Sequence, residues 1–141
     1  MRRSALLPRP AATVFDLIEA AEHYPAFLPW CAGARIVERS DEVVSADIDI
    51  AWRGVRLSLR TRNPKRRPEH MLILLERGPF SLFAGEWKLT ALAPRACKVE
   101  FRLDYDFESR LVTGMAGPVF DRISDTLVDA FVRRALSVAA D

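Results

Sequence analysis

The chain has 141 residues, 50% hydrophobic and 28% charged, with a formal net charge of +2. That length suits one domain with a core large enough to stand without staples, and the balance excludes a disordered chain. So small a net charge gives no reason in itself to expect a polyanionic partner.

Residues 3–7 form the first strand candidate, cut by Pro8 and Pro10. Ala11 to Ala21 reads as a helix, because Val14, Phe15, Leu17, Ile18 and Ala21 recur at three-to-four spacing while Asp16 and Glu19 face away. Tyr24-Pro25-Ala26-Phe27-Leu28-Pro29-Trp30-Cys31 then sets four large apolar side chains and two prolines within eight residues. The prolines bar a continued helix, and the segment is too apolar for a solvated loop. It either plugs the core or forms the lip of an apolar cavity.

From here the period is two. Ala34 to Glu38 is a strand, Ser40-Asp41-Glu42 a turn, and Val44, Ala46, Ile48, Ile50 and Trp52 alternate with polar residues. Arg53-Gly54 marks a hairpin into Val55–Arg62. Asn63-Pro64-Lys65-Arg66-Arg67-Pro68 reads as a loop, and Met71 to Leu75 as a strand apolar on both faces. Gly78-Pro79-Phe80 is a turn before strands at 82–92 and 97–107, so the strands form one antiparallel meander. Ser109 to Ala139 returns to helical spacing, with a stripe of Val112, Met115, Val119, Ile123, Leu127, Phe131 and Ala135. Gly114, Gly117 and Pro118 predict a kink, or a short helix followed by a long one with Pro118 in its first turn.

The order β, α, six β, long α defines an α+β domain over residues 1–141. Its curved antiparallel sheet is wrapped around the C-terminal helix. A sheet that wide exceeds the 10–12 Å or so covered by one helix, so side chains or a ligand must fill the remaining space.

Catalytic patterns find little support. His23 and His70 are far apart, Asp47 and Asp49 read as a solvated face, and no metal, dinucleotide or nucleotide motif occurs. An enzyme is not expected. Cys31 and Cys97 lack metal-ligand spacing and read as buried thiols of a cytosolic protein. The N-terminus has too few apolar residues for a secretory signal and no run reaches a membrane span, so a cytoplasmic location is expected.

Together with the element order, three stretches resemble one family. They are the proline-aromatic segment through Ala34, Gly78-Pro79-Phe80 with Leu82 and Gly85-Glu86-Trp87, and Ala130-Phe131-Val132-Arg133-Arg134-Ala135. The chain resembles the coenzyme Q-binding COQ10 family of the helix-grip, START-like superfamily, whose bacterial members include RatA-type proteins. The resemblance implies a tunnel that binds ubiquinone (coenzyme Q), serving as a carrier or chaperone for respiration without a catalytic cofactor. The other family description is a toxin that associates with the large ribosomal subunit and inhibits translation initiation.

For the ligand, the inward candidates are Trp52, Trp87, Phe101 and Tyr105 of the sheet and Val119, Ile123 and Leu127 of the helix, with Phe27, Trp30 and Phe80 from the loops. For docking, Arg56, Arg60, Arg62, Lys65, Arg66 and Arg67 form a basic cluster. It suits an anionic membrane, at the inner face of the cytoplasmic membrane, or ribosomal RNA phosphates. DNA is not an expected partner.

Overall fold

The computed structural model describes residues 1–138. Its elements are β1 (Arg2–Leu7), α1 (Ala11–Glu19), a 3-10 helix (Ala21–Ala26), β2 (Cys31–Arg39), β3 (Val43–Trp52), β4 (Val55–Arg66), β5 (His70–Arg77), β6 (Phe80–Ala93), β7 (Ala96–Phe107) and α2 (Arg110–Ser137). The seven strands make one antiparallel sheet in the order β1-β7-β6-β5-β4-β3-β2. Chain neighbours pair with one another from β2 to β7, and β1 closes on the far side of β7. Its inner face and the buried sides of α1 and α2 form a single core cluster.

Local chemistry explains the boundaries. Arg53 and Gly54 both take positive φ, +50° and +82°, the backbone of a tight primed hairpin turn between β3 and β4. The Ser109 side chain caps α2 by accepting from the Val112 amide at 3.1 Å. The first helix ends at Glu19, two residues before the expected Ala21. Pro25 forbids further α-turns, and the chain tightens into a 3-10 turn in which the His23 amide bonds the Ala20 carbonyl at 3.0 Å. The second strand begins at Cys31, earlier than the expected Ala34, and carries bulges between Cys31 and Gly33 and between Ile36 and Glu38.

Three expectations are corrected. Asn63 to Arg66 is no loop, because β4 runs on through Arg66. Val43 and Val44 pair with Pro64 and Asn63, while the ladder to β5 skips residues 63 and 64, so the missing Pro64 amide is tolerated inside a sheet. The C-terminal helix is unbroken from Arg110 to Ser137 with Pro118 inside it, so no short helix precedes a long one. Gly114, whose carbonyl loses its donor to Pro118, is exposed, and water can take the bond. Met115 is 68% exposed rather than part of the inner stripe, which runs instead through Ala116, Phe120, Ile123, Ser124 and Phe131. The expected last helical residue, Ala139, lies outside the described residues.

Candidate functional site

The alternation of β3 and β4 aims Val44, Ala46, Ile48 and Ile50, then Leu59, Thr61 and Asn63, at the underside of α2. Opposite them stand Phe120, Ile123, Ser124, Leu127 and Phe131 of α2 and Ile18 and Glu19 of α1. Between these walls lies a cavity of about 110 Å³. Met71, Trp87, Phe101 and Leu103 complete the sheet wall, and Tyr24 and Trp30 close the end beneath the proline-aromatic segment.

Aromatic packing frames the cavity at both ends. At one end Tyr24, Phe27 and Phe131 meet edge to face at centroid distances of 5.3–5.9 Å, and Trp87 joins Phe131 at 5.2 Å. At the other, Phe120 packs edge to face on Tyr105 at 4.6 Å and lies 5.3 Å from Phe80. These ring contacts close the core at the two ends of the cavity. The buried Tyr24 hydroxyl donates to the Ile18 carbonyl and ties the 3-10 turn to α1. Burial pushes its pKa above the ordinary phenol value, so it remains a neutral donor.

The polar inventory of the walls is short. Asn63 Nδ2 donates to Met71 Sδ at 3.7 Å, while Asn63 Oδ1 and Ser124 Oγ are buried without a hydrogen-bond partner among the described residues. At the rim, Glu19 accepts from Arg39 Nε at 2.6 Å and faces Lys65 Nζ at 3.7 Å. Arg39 also holds Glu22 at 2.6 Å, and this bond lowers the Glu22 pKa.

Of the ten ligand candidates, Trp30, Trp87, Phe101, Ile123 and Leu127 line this cavity. The other five do not. Phe27 packs outside it, between Phe131 and the Arg134 guanidinium, 5.1 Å above its ring. Trp52 sits under Arg53 at 4.4 Å near the hairpin, and Phe80 is buried among Phe83, Phe107 and Phe120. Tyr105 turns to a separate surface groove and donates to Asp121, with Ser124 nearby but outside hydrogen-bond geometry. Val119 is half-buried on the flank of α2. The inner residues of β3 carried a readable alternation. Asn63 was hidden by the loop reading of its segment.

The basic cluster is largely neutralised. Arg60 binds Asp47 through two bonds of 2.7 and 3.0 Å, Arg62 reaches Glu38 at 3.0 Å, and Arg67 binds Asp16 at 2.8 Å. Lys65 faces Glu19, and Arg66 lies 3.5 Å from Glu69. Only Arg56 of the six has no ion-pair partner among the described residues.

A seven-stranded sheet gripping one long helix over an apolar cavity defines a START-like helix-grip protein. A family model described as polyketide cyclase / dehydrase and lipid transport matches residues 7–132, and the chain belongs to that family. Within it the chain is 38% identical over 135 residues to the ribosome association toxin RatA of Pseudomonas aeruginosa, covering 96% of this chain and 94% of that one. It is 21% identical over 140 residues to the mitochondrial coenzyme Q-binding protein coq10 of Schizosaccharomyces pombe, covering 95% and 85%. The crystal structure of the Zhui aromatase/cyclase from Streptomyces sp. R1128 superposes with a TM-score of 0.82 at 14% identity, over 96% and 92% of the two chains, a likeness of fold. No described helix is long and apolar enough to cross a membrane.

Proposed function

We propose that the chain binds a hydrophobic isoprenoid, with ubiquinone as the ligand, between the sheet and α2, and acts as its carrier or chaperone in support of respiration. The observation that carries this reading is the cavity itself, walled by branched aliphatic and aromatic side chains with few polar atoms. Burying a methyl-branched tail gains about 25 cal/mol per Å² of apolar surface without positioned polar groups. The coq10 relative, named for coenzyme Q binding, supports the same class of ligand.

The fit in chemistry is better than the fit in volume. About 110 Å³ is below the roughly 300–1,000 Å³ of ligand pockets, so a polyprenyl tail requires the walls to part. The rim formed by α1 and the 3-10 turn is the natural place, because two short elements tied to β2 through Arg39 give way more readily than the sheet. Glu19, the only carboxylate lining the cavity among the described residues, is held by Arg39 and Lys65, which argues for a binder rather than an enzyme. Organic extraction of protein purified from its native host, followed by mass spectrometry, tests the reading. A stoichiometric quinone is expected, and its repeated absence from folded protein overturns it.

A second reading, association with the large ribosomal subunit and inhibition of translation initiation, is favoured by the relative named RatA at 38% identity. The pairing of most basic-cluster residues leaves little free charge for RNA phosphates or an anionic membrane. Co-sedimentation with large subunits across a salt series tests it, and loss of binding only at high salt supports an electrostatic contact.

A further inference from the structure

Lys65 is a cation set where the apolar cavity meets its rim. On β4 it stands two residues beyond Asn63, a step of about 6.7 Å along the strand, and it pairs across the ladder with Met71. Asn63 and Met71 both line the cavity, so Lys65 projects from the same inner face of the sheet. Its side chain is only 10% exposed. The ammonium lies 3.7 Å from the carboxylate of Glu19, which also lines the cavity.

That ammonium carries three donors and leaves them open. At 3.7 Å Glu19 is too far for a hydrogen bond, and no other acceptor among the described residues bonds the amine. The second rim cation, Arg39, is fully occupied, donating from Nε to Glu19 and from Nη1 and Nη2 to Glu22. A largely desolvated ammonium with open donors calls for an acceptor. The surrounding charges choose its kind. Glu19 and Glu22 balance Arg39 and Lys65, so the rim offers no net attraction to an anion, and a neutral carbonyl oxygen fits. Thr61, Trp30 and Trp87 also bring donors to the cavity, but these are neutral, and a charge-assisted bond is roughly twice as strong.

We propose that Lys65 receives a carbonyl of the quinone head at the rim, while the isoprenoid tail lies inward between the sheet and α2. The assignment rests on the isoprenoid reading of the cavity and gives the ligand a direction. The head stays at the end closed by Glu19 and Arg39, and the tail fills the space under Ile123 and Phe131. Apolar walls hold the tail of any such molecule. The bond from Lys65 distinguishes a carbonyl-bearing head from a bare ring.

The test is a titration of the full chain with two probes, read by the fluorescence of Trp30 and Trp87, which line the cavity. One probe is a ubiquinone with a geranyl tail, and the other is geranylbenzene, which sets the same tail on a ring without oxygens. Lys65→Met is expected to weaken the quinone about tenfold and geranylbenzene less than about twofold. The infrared carbonyl band of the bound quinone should lie at lower frequency in the parent chain than in the variant, a shift that repacking of the rim alone would not produce. Lys65→Gln, polar but uncharged, serves if the methionine variant fails to fold, with a loss of at least about threefold for the quinone. Equal losses for both probes, no loss for the quinone, or an unmoved carbonyl band overturns the role of Lys65 and leaves the isoprenoid reading intact. Binding of neither probe to the parent chain overturns both.

Discussion

Glu19, in the last turn of α1, accepts from Arg39 Nε of β2 at 2.6 Å, so an ion pair joins the first helix to an edge strand at the rim of the cavity. Arg39 is 38% exposed and Glu19 16%, so the guanidinium meets solvent while the carboxylate is largely out of it. Arg39→Ala is expected to cost about 1–3 kcal/mol of stability, because Glu19 and Glu22 both lose their charged donor. It should also speed ligand uptake, because the lip of α1 and the 3-10 turn loses its main polar tie to β2. Stopped-flow fluorescence with farnesol, beside a urea melt, checks both. A large stability loss with unchanged uptake would count against a gating role.

Filling the cavity should separate ligand binding from stability. Ala46 is 4% exposed and lines the space under α2. Ala46→Leu places three more carbons into about 110 Å³. The expected stability change is within about 1.5 kcal/mol, since the added atoms enter a void. The thermal shift given by farnesol should vanish. The opposite change, Phe131→Ala, removes a ring shared by Tyr24, Phe27 and Trp87 and should cost about 3–5 kcal/mol.

The thiols offer a direct probe of packing. Cys31 and Cys97 are free and buried, at 5% and 0% exposure. Burial pushes the Cys31 pKa up to about 11 and raises that of Cys97. At pH 8 both are therefore protonated and covered. The native protein is expected to resist a disulfide-exchange reagent for hours, while two thiols react at once in denaturant. Rapid labelling of the native chain would contradict the buried placement of Cys31 at the start of β2 and of Cys97 in β7.

Acid should loosen the sheet in a defined order of causes. Hydrogen bonds from Arg60, Arg39 and His70 hold the carboxyls of Asp47, Glu22 and Glu86 below their ordinary values. Each folded pKa lies below the unfolded one, so the stabilisation is complete above the ordinary carboxylate range near about 4 and is lost as the pH falls through the lowered values. Urea midpoints should stay flat from about pH 7 to 5 and drop below about pH 4. Asp47→Asn should remove part of that drop. A midpoint that rises on acidification would reverse the assignment.

Legibility followed the strength of the periodic pattern. The alternation of Val44 to Trp52 and the helical spacing of α2 were plain, so the meander and the covering helix could be read, but the pairing of β1 with β7 had no local signal. Pro64 and the run of basic residues around it mimicked a loop, and the polar inward residue Asn63 broke the rhythm that marks a strand. Its place in the cavity wall was lost with it. Phe27, Trp52, Phe80 and Tyr105 stand outside the cavity for another reason. For Trp52 and Tyr105, parity fixes the face of a sheet but not the position along it, and for Phe27 and Phe80 no period reads the path of a loop. Long-range pairs such as Arg67 with Asp16 left no local trace.

The two bulges of β2 reach beyond its own strand. As the last strand of the sheet it has one backbone edge with no strand beside it, where another chain could add a strand of its own. Each bulge shifts the count of residues by one, so an incoming straight strand falls out of register within a few residues. Arg35 and Arg39 along the same strand add charge that a stacked copy would meet in its own image. The apolar cavity under α2 thus lies against a sheet whose β2 edge does not zip readily onto its neighbours.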